Sequence, residues 1–223
     1  LPKATINDVC EQGSTVLLIA PDLKEEYGTL YIRLRHAARE NSVKIIELSP
    51  TETGLSNVAA SSLRPRPGEI AQVVQSLLTG KGPVEVGGIP KEKLLETHEL
   101  IKGKELKVVF GRQSIAESQQ SLIEALSLLE RTSNSVFLPL VRRGNMMGAL
   151  NMGMAPGLLP GQTTLNDGRE RFSDLWTNLP TEQGKDTEQI LHGAAEGEID
   201  VLFLLGADPI SDFHDPELAQ RAL

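Results

Sequence analysis

The chain has 223 residues, 39% of them hydrophobic, which is enough to bury a core in one large domain or two smaller ones. A formal net charge of -8, with no block of Lys and Arg, argues against binding to nucleic acid or to an anionic membrane surface. The single cysteine, Cys10, excludes an internal disulfide and any four-cysteine metal site formed by this chain alone, as is typical of a reducing compartment.

Short apolar runs and helical stripes alternate along the chain. Continuous apolarity over so few residues is typical of strands covered on both faces, and it predicts strands at residues 16–20, 43–48, 106–110, 135–140 and 201–205. Apolar residues at helical spacing predict three helices between them, marked by Tyr27, Leu30, Tyr31, Leu34 and Ala38, then Ile70, Val73, Val74, Leu77 and Leu78, then Ile115, Leu122, Leu126 and Leu129. The alternation predicts an α/β, Rossmann-like fold with mostly parallel sheets and helices on both faces.

Glycine-rich connections suggest how the chain is divided. Residues 79–90 (TGKGPVEVGGIP) are the preferred boundary, which gives a Rossmann-like half at 1–82 and a second α/β part at 83–223. We expect the strands at 106–110, 135–140 and 201–205 to form a second parallel sheet. The second part contains a Gly/Met-rich loop at 142–161 (RRGNMMGALNMGMAPGLLPG) and a long irregular segment at 151–184.

Most signals for catalytic chemistry are missing. The chain has no G-x-G-x-x-G, G-x-x-x-x-G-K-[ST] or G-x-S-x-G sequence, and no second His stands at helical spacing from any of its four His residues. A core or boundary role is favoured for His98, and a solvated helix start with Asp215 as N-cap is favoured over a catalytic base at His214. Cys10 is interpreted as inert, because the neighbouring Asp8 and Glu11 would raise the pKa of its thiol.

Four segments in order carry a resemblance to a known family. They are VLLIAPDLKEEYGTLYIRLRHAARENSVKIIEL, LRPRPGEIAQVVQSLL, RRGNMMGALNMGMAPGLLPG and IDVLFLLGADPISDFHDPELAQRAL. Together they cover roughly three-quarters of the chain, and they resemble the molybdopterin oxidoreductase (formate dehydrogenase-like) superfamily, in particular the G subunit of bacterial NADH-quinone oxidoreductase, respiratory complex I. The resemblance implies that the loops after the strands surround, in the cofactor-binding enzymes, a molybdopterin guanine dinucleotide.

The resemblance also identifies candidate site residues on two loops. They are Arg143, Gly144, Asn145, Asn151 and Gly153 on the first, and Gly206, Ala207, Asp208 and Pro209 on the second. Where cofactor-binding relatives carry D-P-R-x-T, this chain reads Ser49-Pro50-Thr51-Glu52-Thr53, and Glu47, Glu52 and Glu69 lie near the expected path of the cofactor. We therefore expect these loops to be degenerate. Met146, Met147, Met152 and Met154 should then turn into protein, with Gly144, Gly148 and Gly153 held where a side chain would clash.

The expected function follows from the resemblance. We expect an interior fragment of the large G subunit, structural rather than catalytic, with no cofactor and no metal of its own, and with iron–sulfur clusters in the parent protein outside it. Its partners would be other subunits of the peripheral arm, without nucleic acid or a membrane span, and it would be cytoplasmic, peripheral to the inner face of the cell membrane. The alternative is a catalytic molybdopterin-binding domain of a formate dehydrogenase-like or nitrate reductase-like oxidoreductase.

Overall fold

The structure is a computed structural model that describes residues 1–113 and 116–223. It divides into two compact units, residues 1–140 and residues 141–223, which are called unit 1 and unit 2. Ile115, predicted to begin the third helical stripe, lies outside the described residues.

A parallel sheet forms the centre of unit 1. Within the described part of this unit the sheet has five strands: β1 (Thr15–Ile19), β2 (Lys44–Leu48), β3 (Ser61–Leu63), β6 (Leu106–Phe110) and β7 (Ser135–Pro139). Between β3 and β6 in the chain, β4 (Glu85–Val86) and β5 (Ile89–Pro90) form a separate antiparallel hairpin. The order across the sheet is β3-β2-β1-β6-β7, with every neighbouring pair parallel.

Helices cover both faces of this sheet. They are α1 (Ile6–Val9), α2 (Leu23–Glu26), α3 (Gly28–Glu40), α4 (Ile70–Thr79), α5 (Lys91–Ile101) and α6 (Gln119–Thr132). Alternate residues of β1 point to opposite faces: Leu17 and Ile19 pack in the core under α4, α5 and α6, whereas Val16 and Leu18 pack under α1, α2 and α3. Burial on both faces explains why the strands are continuously apolar, and it confirms the predicted α/β fold.

Unit 2 has short elements and a small core. Its described elements are α7 (Met146–Asn151), β8 (Leu158–Leu159), β9 (Thr163–Thr164), α8 (Leu165–Ser173), α9 (Thr187–Ala195), α10 (Pro209–Asp212) and α11 (Pro216–Ala222), and β8 pairs with β9 in an antiparallel hairpin. The buried hydrophobic residues described in this unit are Leu159, Phe172, Leu191, Leu218 and Ala219. Helices α9 and α11 pack through the last three of these.

Three expectations about the strands, the sheets and the division of the chain differ from the structure. The prediction of a second parallel sheet is wrong, because β6 pairs with β1 and β7 pairs with β6 in the same sheet. The expected division after residue 82 falls within unit 1, where Val86 and Ile89 of the hairpin are buried in the same core as Leu17. The strand predicted at residues 201–205 is also wrong, since these residues form neither helix nor strand.

The irregular segment is shorter than the sequence suggested. Within residues 151–184, β8, β9 and α8 form, and the hydroxyl of Thr164 caps α8 by accepting a hydrogen bond from the backbone N–H of Asp167 at 3.2 Å. None of the described helices has the length and hydropathy that crossing a membrane requires.

Candidate functional site at the carboxyl edge of the sheet

The loops that follow the strands of unit 1 meet at one edge of the sheet. We call this the carboxyl edge, formed by residues 20–22 after β1, 49–54 after β2, 64–69 after β3 and 111–117 after β6, of which 114 and 115 are not described. The chain leads from β1 outward to β2 and β3 on one side, and to β6 and β7 on the other. Such a reversal leaves a crevice between β1 and β6, which is where open α/β sheets bind ligands.

Side chains of the protein pack closely around Gly111, at the end of β6 beside this crevice. Gly111 donates its backbone N–H to the carbonyl of Ile19 at 2.9 Å, which holds the end of β6 against the end of β1. A Cβ atom built on Gly111 would lie 3.2 Å from Cβ of Leu140 and 3.4 Å from Cδ of Pro21. The side chain of Gln113 crosses over the end of β1, donating from Nε2 to the carbonyl of Leu48 on β2. Pro21 and Leu140 thus pack on Gly111 where a ligand would approach the backbone.

A carboxylate occupies the helix start beside the crevice. Asp22 is the N-cap of α2, and its Oδ1 accepts a hydrogen bond from the backbone N–H of Lys24 at 2.9 Å. Both of its carboxylate oxygens also lie 3.2 Å from the backbone N of Gly54, on the loop after β2. Free N–H groups at a helix start attract anions, and here those of Lys24 and Gly54 are already satisfied by an acid of the chain itself.

A second carboxylate, that of Glu47, is buried at the end of β2, where its side chain is 1% exposed. Its Oε2 accepts from Nη1 of Arg64 at 2.9 Å, from Oγ of Ser56 at 2.7 Å and from Oγ of Ser62 at 2.9 Å, while its Oε1 accepts from Oγ1 of Thr53. The other guanidinium nitrogen of Arg64 donates to Oγ of Ser56 at 2.9 Å. The guanidinium of Arg64 is therefore paired with a buried carboxylate.

A third carboxylate, that of Glu117, joins the loop after β6 to the loop after β3. Glu117 is 5% exposed, and its Oε1 accepts a hydrogen bond from the backbone N–H of Gly68 at 3.1 Å. Burial raises the pKa of Glu117, and the hydrogen bonds from the N–H groups of Gly68 and Ser118 oppose that rise. One turn further along α6, Oγ of Ser121 accepts from the backbone N–H of Ala71 at 3.2 Å. Glu117 and Ser121 thus accept hydrogen bonds from backbone N–H groups at the start of α4, whose own N-cap residue, Glu69, makes no side-chain capping bond.

The three carboxylates define what this edge can do chemically. The backbone N–H groups of Lys24, Gly54 and Gly68 and the guanidinium of Arg64 are paired with these carboxylates. A dinucleotide that used these donors would have to displace an anion of the chain from each of them and would meet like charge there. The residues present at the carboxyl edge therefore do not fit a pyrophosphate.

The first predicted site loop lies at the start of unit 2. Arg143 is exposed and has a φ of 83°, Gly144 has open space where a Cβ would stand, and Asn145 is the N-cap of α7 without a side-chain cap bond. Asn151 bonds within its own segment, its Oδ1 accepting from Nε2 of Gln162 at 2.7 Å and its carbonyl from the backbone N of Gly161 at 2.7 Å. Gly153 has a φ of 79°, and a Cβ there would lie 2.9 Å from the carbonyl carbon of Leu159.

The expected packing of this loop is partly wrong. Met146, Met152 and Met154 are 39%, 69% and 75% exposed, and Met147 is half-buried. Helix α7, which contains Met146 and Met147, has no buried residue. Gly153 does stand where a side chain would meet backbone. Gly144 does not, and a Cβ on Gly148 would meet the side chain of Asn145, which is able to move.

The second predicted site loop surrounds a helix start. Gly206 has a φ of 62° with open space at its Cβ position, Ala207 is exposed, and Pro209 is the first residue of α10. Asp208 is the N-cap of α10, and hydrogen bonds from Ser211 lower the pKa of its carboxyl group. Asp208 therefore bonds within the start of its own helix, and Asn151, at the end of α7, bonds to Gly161 and Gln162 in the turn between β8 and β9.

The remaining candidates have structural roles. His98 bonds through Nδ1 with the carbonyl of Leu77 at 2.6 Å, and a Cβ on Gly80 would lie 2.9 Å from its Nε2, so it packs at the end of α4 as expected. His214 packs on Phe213 beside Asp215, the N-cap of α11. Burial raises the pKa of Cys10, so the direction expected for this thiol is right, but burial rather than neighbouring acids is the main cause. No cluster of three potential metal ligands occurs among the described residues.

Comparison with known proteins defines the class to which the chain belongs. No family model matches it. It is 26% identical over 99% of its length to the NADPH-Fe(3+) oxidoreductase subunit alpha of Geobacter sulfurreducens, covering 30% of that protein. It is also 25% identical over 98% of its length to an F420-dependent formate dehydrogenase 2 subunit alpha of Methanococcus maripaludis, covering 38% of that protein. With its parallel α/β sheet, the chain is thus a relative of oxidoreductase subunits.

Within that class one kind of protein matches at higher identity. The chain is 31% identical, over 96% of its length, to the G subunit of the NADH-quinone oxidoreductase of Streptomyces coelicolor. This match confirms the resemblance to G subunits seen in the sequence. It spans about a quarter of the length of that relative.

Two of the three carboxylates could be anticipated only in part. Asp22 and Glu47 lie in segments that carry the family resemblance, but the sequence contains no sign that both would occupy donors. Glu117 was missed, because its partner Gly68 is 49 residues away and no motif links the two.

Proposed function

We propose that this chain is an interior, structural segment of the large G subunit of an NADH-quinone oxidoreductase, with a degenerate pterin site and no cofactor of its own. One observation carries the proposal: the donors at the carboxyl edge are held by Asp22, Glu47 and Glu117. Its similarity to a G subunit along 96% of its length supports the choice of parent.

The energetic argument against a bound dinucleotide is direct. A hydrogen bond to a charged group contributes about 1.5–3 kcal/mol, so replacing a carboxylate by a phosphate at each donor gains little while the displaced acid must find water. The displaced carboxylate would also remain close to the phosphate, and like charges repel strongly where burial lowers the dielectric constant. The close packing of Pro21 and Leu140 on Gly111 adds a steric cost for a ligand that approaches the backbone there.

The wider role follows from the parent. In such an enzyme, electrons from NADH pass to quinone through iron–sulfur clusters in parts of the protein outside these residues. The chain would then be a scaffold in the peripheral arm, in contact with other subunits, on the cytoplasmic side of the membrane. Two loops of unit 2 would be remnants of pterin-facing loops. The first contains Arg143, Gly144, Asn145, Asn151 and Gly153, and the second contains Gly206, Ala207, Asp208 and Pro209.

A second candidate is a catalytic molybdopterin-binding domain of a formate dehydrogenase-like oxidoreductase. Similarity to a formate dehydrogenase subunit over 98% of the chain favours it. In that case molybdopterin guanine dinucleotide would be bound through the two loops of unit 2, and the parent would contain molybdenum or tungsten.

Quantification of molybdenum, tungsten and pterin in the protein purified from its own cells distinguishes the two candidates. We expect none of the three in stoichiometric amount, whatever iron the parent contains. About one molybdenum or tungsten per polypeptide, with pterin released on denaturation, would establish the second candidate instead.

A further inference from the structure

Helix α3 has a basic face in a chain that is acidic overall. It contains Arg33, Arg35 and Arg39 and one acid, Glu40, although the formal net charge of the chain is -8. Within the described residues none of these three arginines forms an ion pair, and Arg33 donates from Nη2 to the amide oxygen of Asn7 at 2.7 Å. The helix therefore keeps an excess of positive charge at the surface of unit 1.

The exposed part of this face is a single stripe along α3. Ile32, Arg33, His36 and Arg39 are all exposed, and their spacing of three and four residues puts them on the same side of the helix. Ile32 is 66% exposed, so the stripe has an aliphatic side chain among its cations. Arg33 and Arg39 are separated by about 9 Å along the helix axis. We call these four residues the basic stripe.

The other side of α3 fixes the stripe in place. Leu30, Leu34 and Ala37 are buried in the core that also contains Val16 of β1 and Ile45 of β2. A rotation of the helix that covered Ile32 would expose these three residues, so the stripe stays at the surface. Its side chains are therefore carried by a rigid element, which lowers the entropy lost when a partner binds.

The composition of the stripe is typical of a protein interface. Arg is enriched at such interfaces and Lys is depleted, because a guanidinium forms two parallel hydrogen bonds with a carboxylate. The solvated helix α5 has the opposite composition: its cations are lysines, and Lys93 lies 3.5 Å from Glu96 of the same helix. The net charge of -8 argues against a nucleic acid or an anionic membrane as the partner.

We propose that the basic stripe is the docking surface for an acidic segment of another subunit, with carboxylates that bind Arg33 and Arg39 and an apolar side chain between them that covers Ile32. The two carboxylates would lie about 9 Å apart, as on a helix with acids six residues apart. An acidic partner is repelled by most of this acidic chain, so charge complementarity directs it to α3. The source of the segment, another subunit, rests on the proposed function, whereas its acidic chemistry rests on the stripe alone.

Zero-length cross-linking of the assembled protein, purified from its own cells, tests the proposal. Arg33→Lys combined with Arg39→Lys keeps the charge of the stripe and supplies amines, which a water-soluble carbodiimide joins to carboxylates in direct contact. We expect cross-linked peptides that join position 33 or 39 to an Asp or Glu of a different polypeptide. Gln120→Lys, at an exposed position of α6 on the opposite face of the sheet, is the control and should link to Glu124 of its own helix.

Two results of this experiment would overturn the proposal. One is the absence of any cross-link from positions 33 and 39. The other is cross-linking only to acids of this same sequence, because the stripe would then face its own polypeptide or a second copy of it. Neither result bears on the content of molybdenum, tungsten or pterin, so failure of this inference is distinguishable from failure of the proposed function.

Charge reversal gives a second, independent test. Arg33→Glu combined with Arg39→Glu should weaken the association of the subunit with its partner by at least about tenfold, measured as the protein concentration at which the assembly dissociates in gel filtration. Like charges would then face each other across the interface. Lys91→Glu combined with Lys104→Glu makes the same change in charge at exposed positions and should leave that concentration unchanged. Dissociation of the two variants at the same concentration would contradict the proposal.

Discussion

The substitution Gly153→Ala isolates the reason for one glycine in the Gly/Met-rich loop. Gly153 has a φ of 79°, and a Cβ there would lie 2.9 Å from the carbonyl carbon of Leu159, 3.0 Å from the backbone N of Pro160 and 3.1 Å from the carbonyl oxygen of Leu158. The left-handed conformation alone costs an alanine about 1–2 kcal/mol. Because the close atoms belong to backbone, they cannot rotate away, so we expect a total loss of about 2–4 kcal/mol.

Two other glycines provide the controls. Gly206 has a φ of 62° but nothing near its Cβ position, so Gly206→Ala should cost only the conformational part, about 1–2 kcal/mol. Gly144 has neither a positive φ nor a close neighbour, so Gly144→Ala should change stability by less than about 0.5 kcal/mol.

The assay uses the single tryptophan. Trp176 packs on Phe172, with ring centroids 5.1 Å apart, and the Cβ position of Gly168 is close to both Leu159 and Phe172. Urea unfolding followed by tryptophan fluorescence therefore reports on the part of unit 2 that contains Leu159. A free energy of unfolding for Gly153→Ala no lower than that for Gly206→Ala would refute the reasoning.

Two further predictions concern buried acids. The pKa of Glu117 is raised in the folded state, so the stability of the wild type should fall as pH rises from about 4.5 through that raised pKa. Glu117→Gln should remove this part of the pH dependence and should be the more stable form at neutral pH, as measured by urea unfolding at several pH values. If the variant keeps the pH dependence of the wild type, the prediction is wrong. Glu47→Ala leaves Arg64 without its buried partner and should lower the free energy of unfolding by about 2–3 kcal/mol. Glu52→Ala, at an exposed position, is the control and should lower it by less than about 0.5 kcal/mol. Similar losses for the two variants would show that the hydrogen bonds around Glu47 contribute little to stability.

The sequence predicted the central strands well because their pattern is local. Continuous apolar runs located β1, β2, β6 and β7, and the helical stripes located α3 and α4. Which strands share a sheet was not predictable, since pairing of β1 with β6 joins residues about 90 positions apart and no local signal reports it. The run at 201–205 has the same local pattern, yet these residues form neither helix nor strand.

The candidate site shows a similar division between local and distant information. The N-cap role of Asp215 and the packing role of His98 followed from immediate neighbours, and the structure agrees. The pairing of Glu117 with Gly68 depends on how α4 and α6 pack, which composition and periodicity do not reveal. Burial of the methionines was expected because methionine fills irregular apolar space, yet α7 buries no residue at all.

The most direct test of whether the chain's own carboxylates prevent a dinucleotide from binding at the carboxyl edge is calorimetric titration with guanosine diphosphate. This ligand carries the pyrophosphate and the base of the dinucleotide. The unaltered chain should show no saturable binding below about 1 mM, and Asp22→Gly combined with Glu117→Ala should bind at least about tenfold more tightly, because the amides of Lys24, Gly54 and Gly68 become free. Glu25→Ala combined with Glu52→Ala makes the same change in charge at exposed positions and should bind no better than the unaltered chain. Binding of guanosine diphosphate by the unaltered chain with a Kd below about 1 mM would contradict the account.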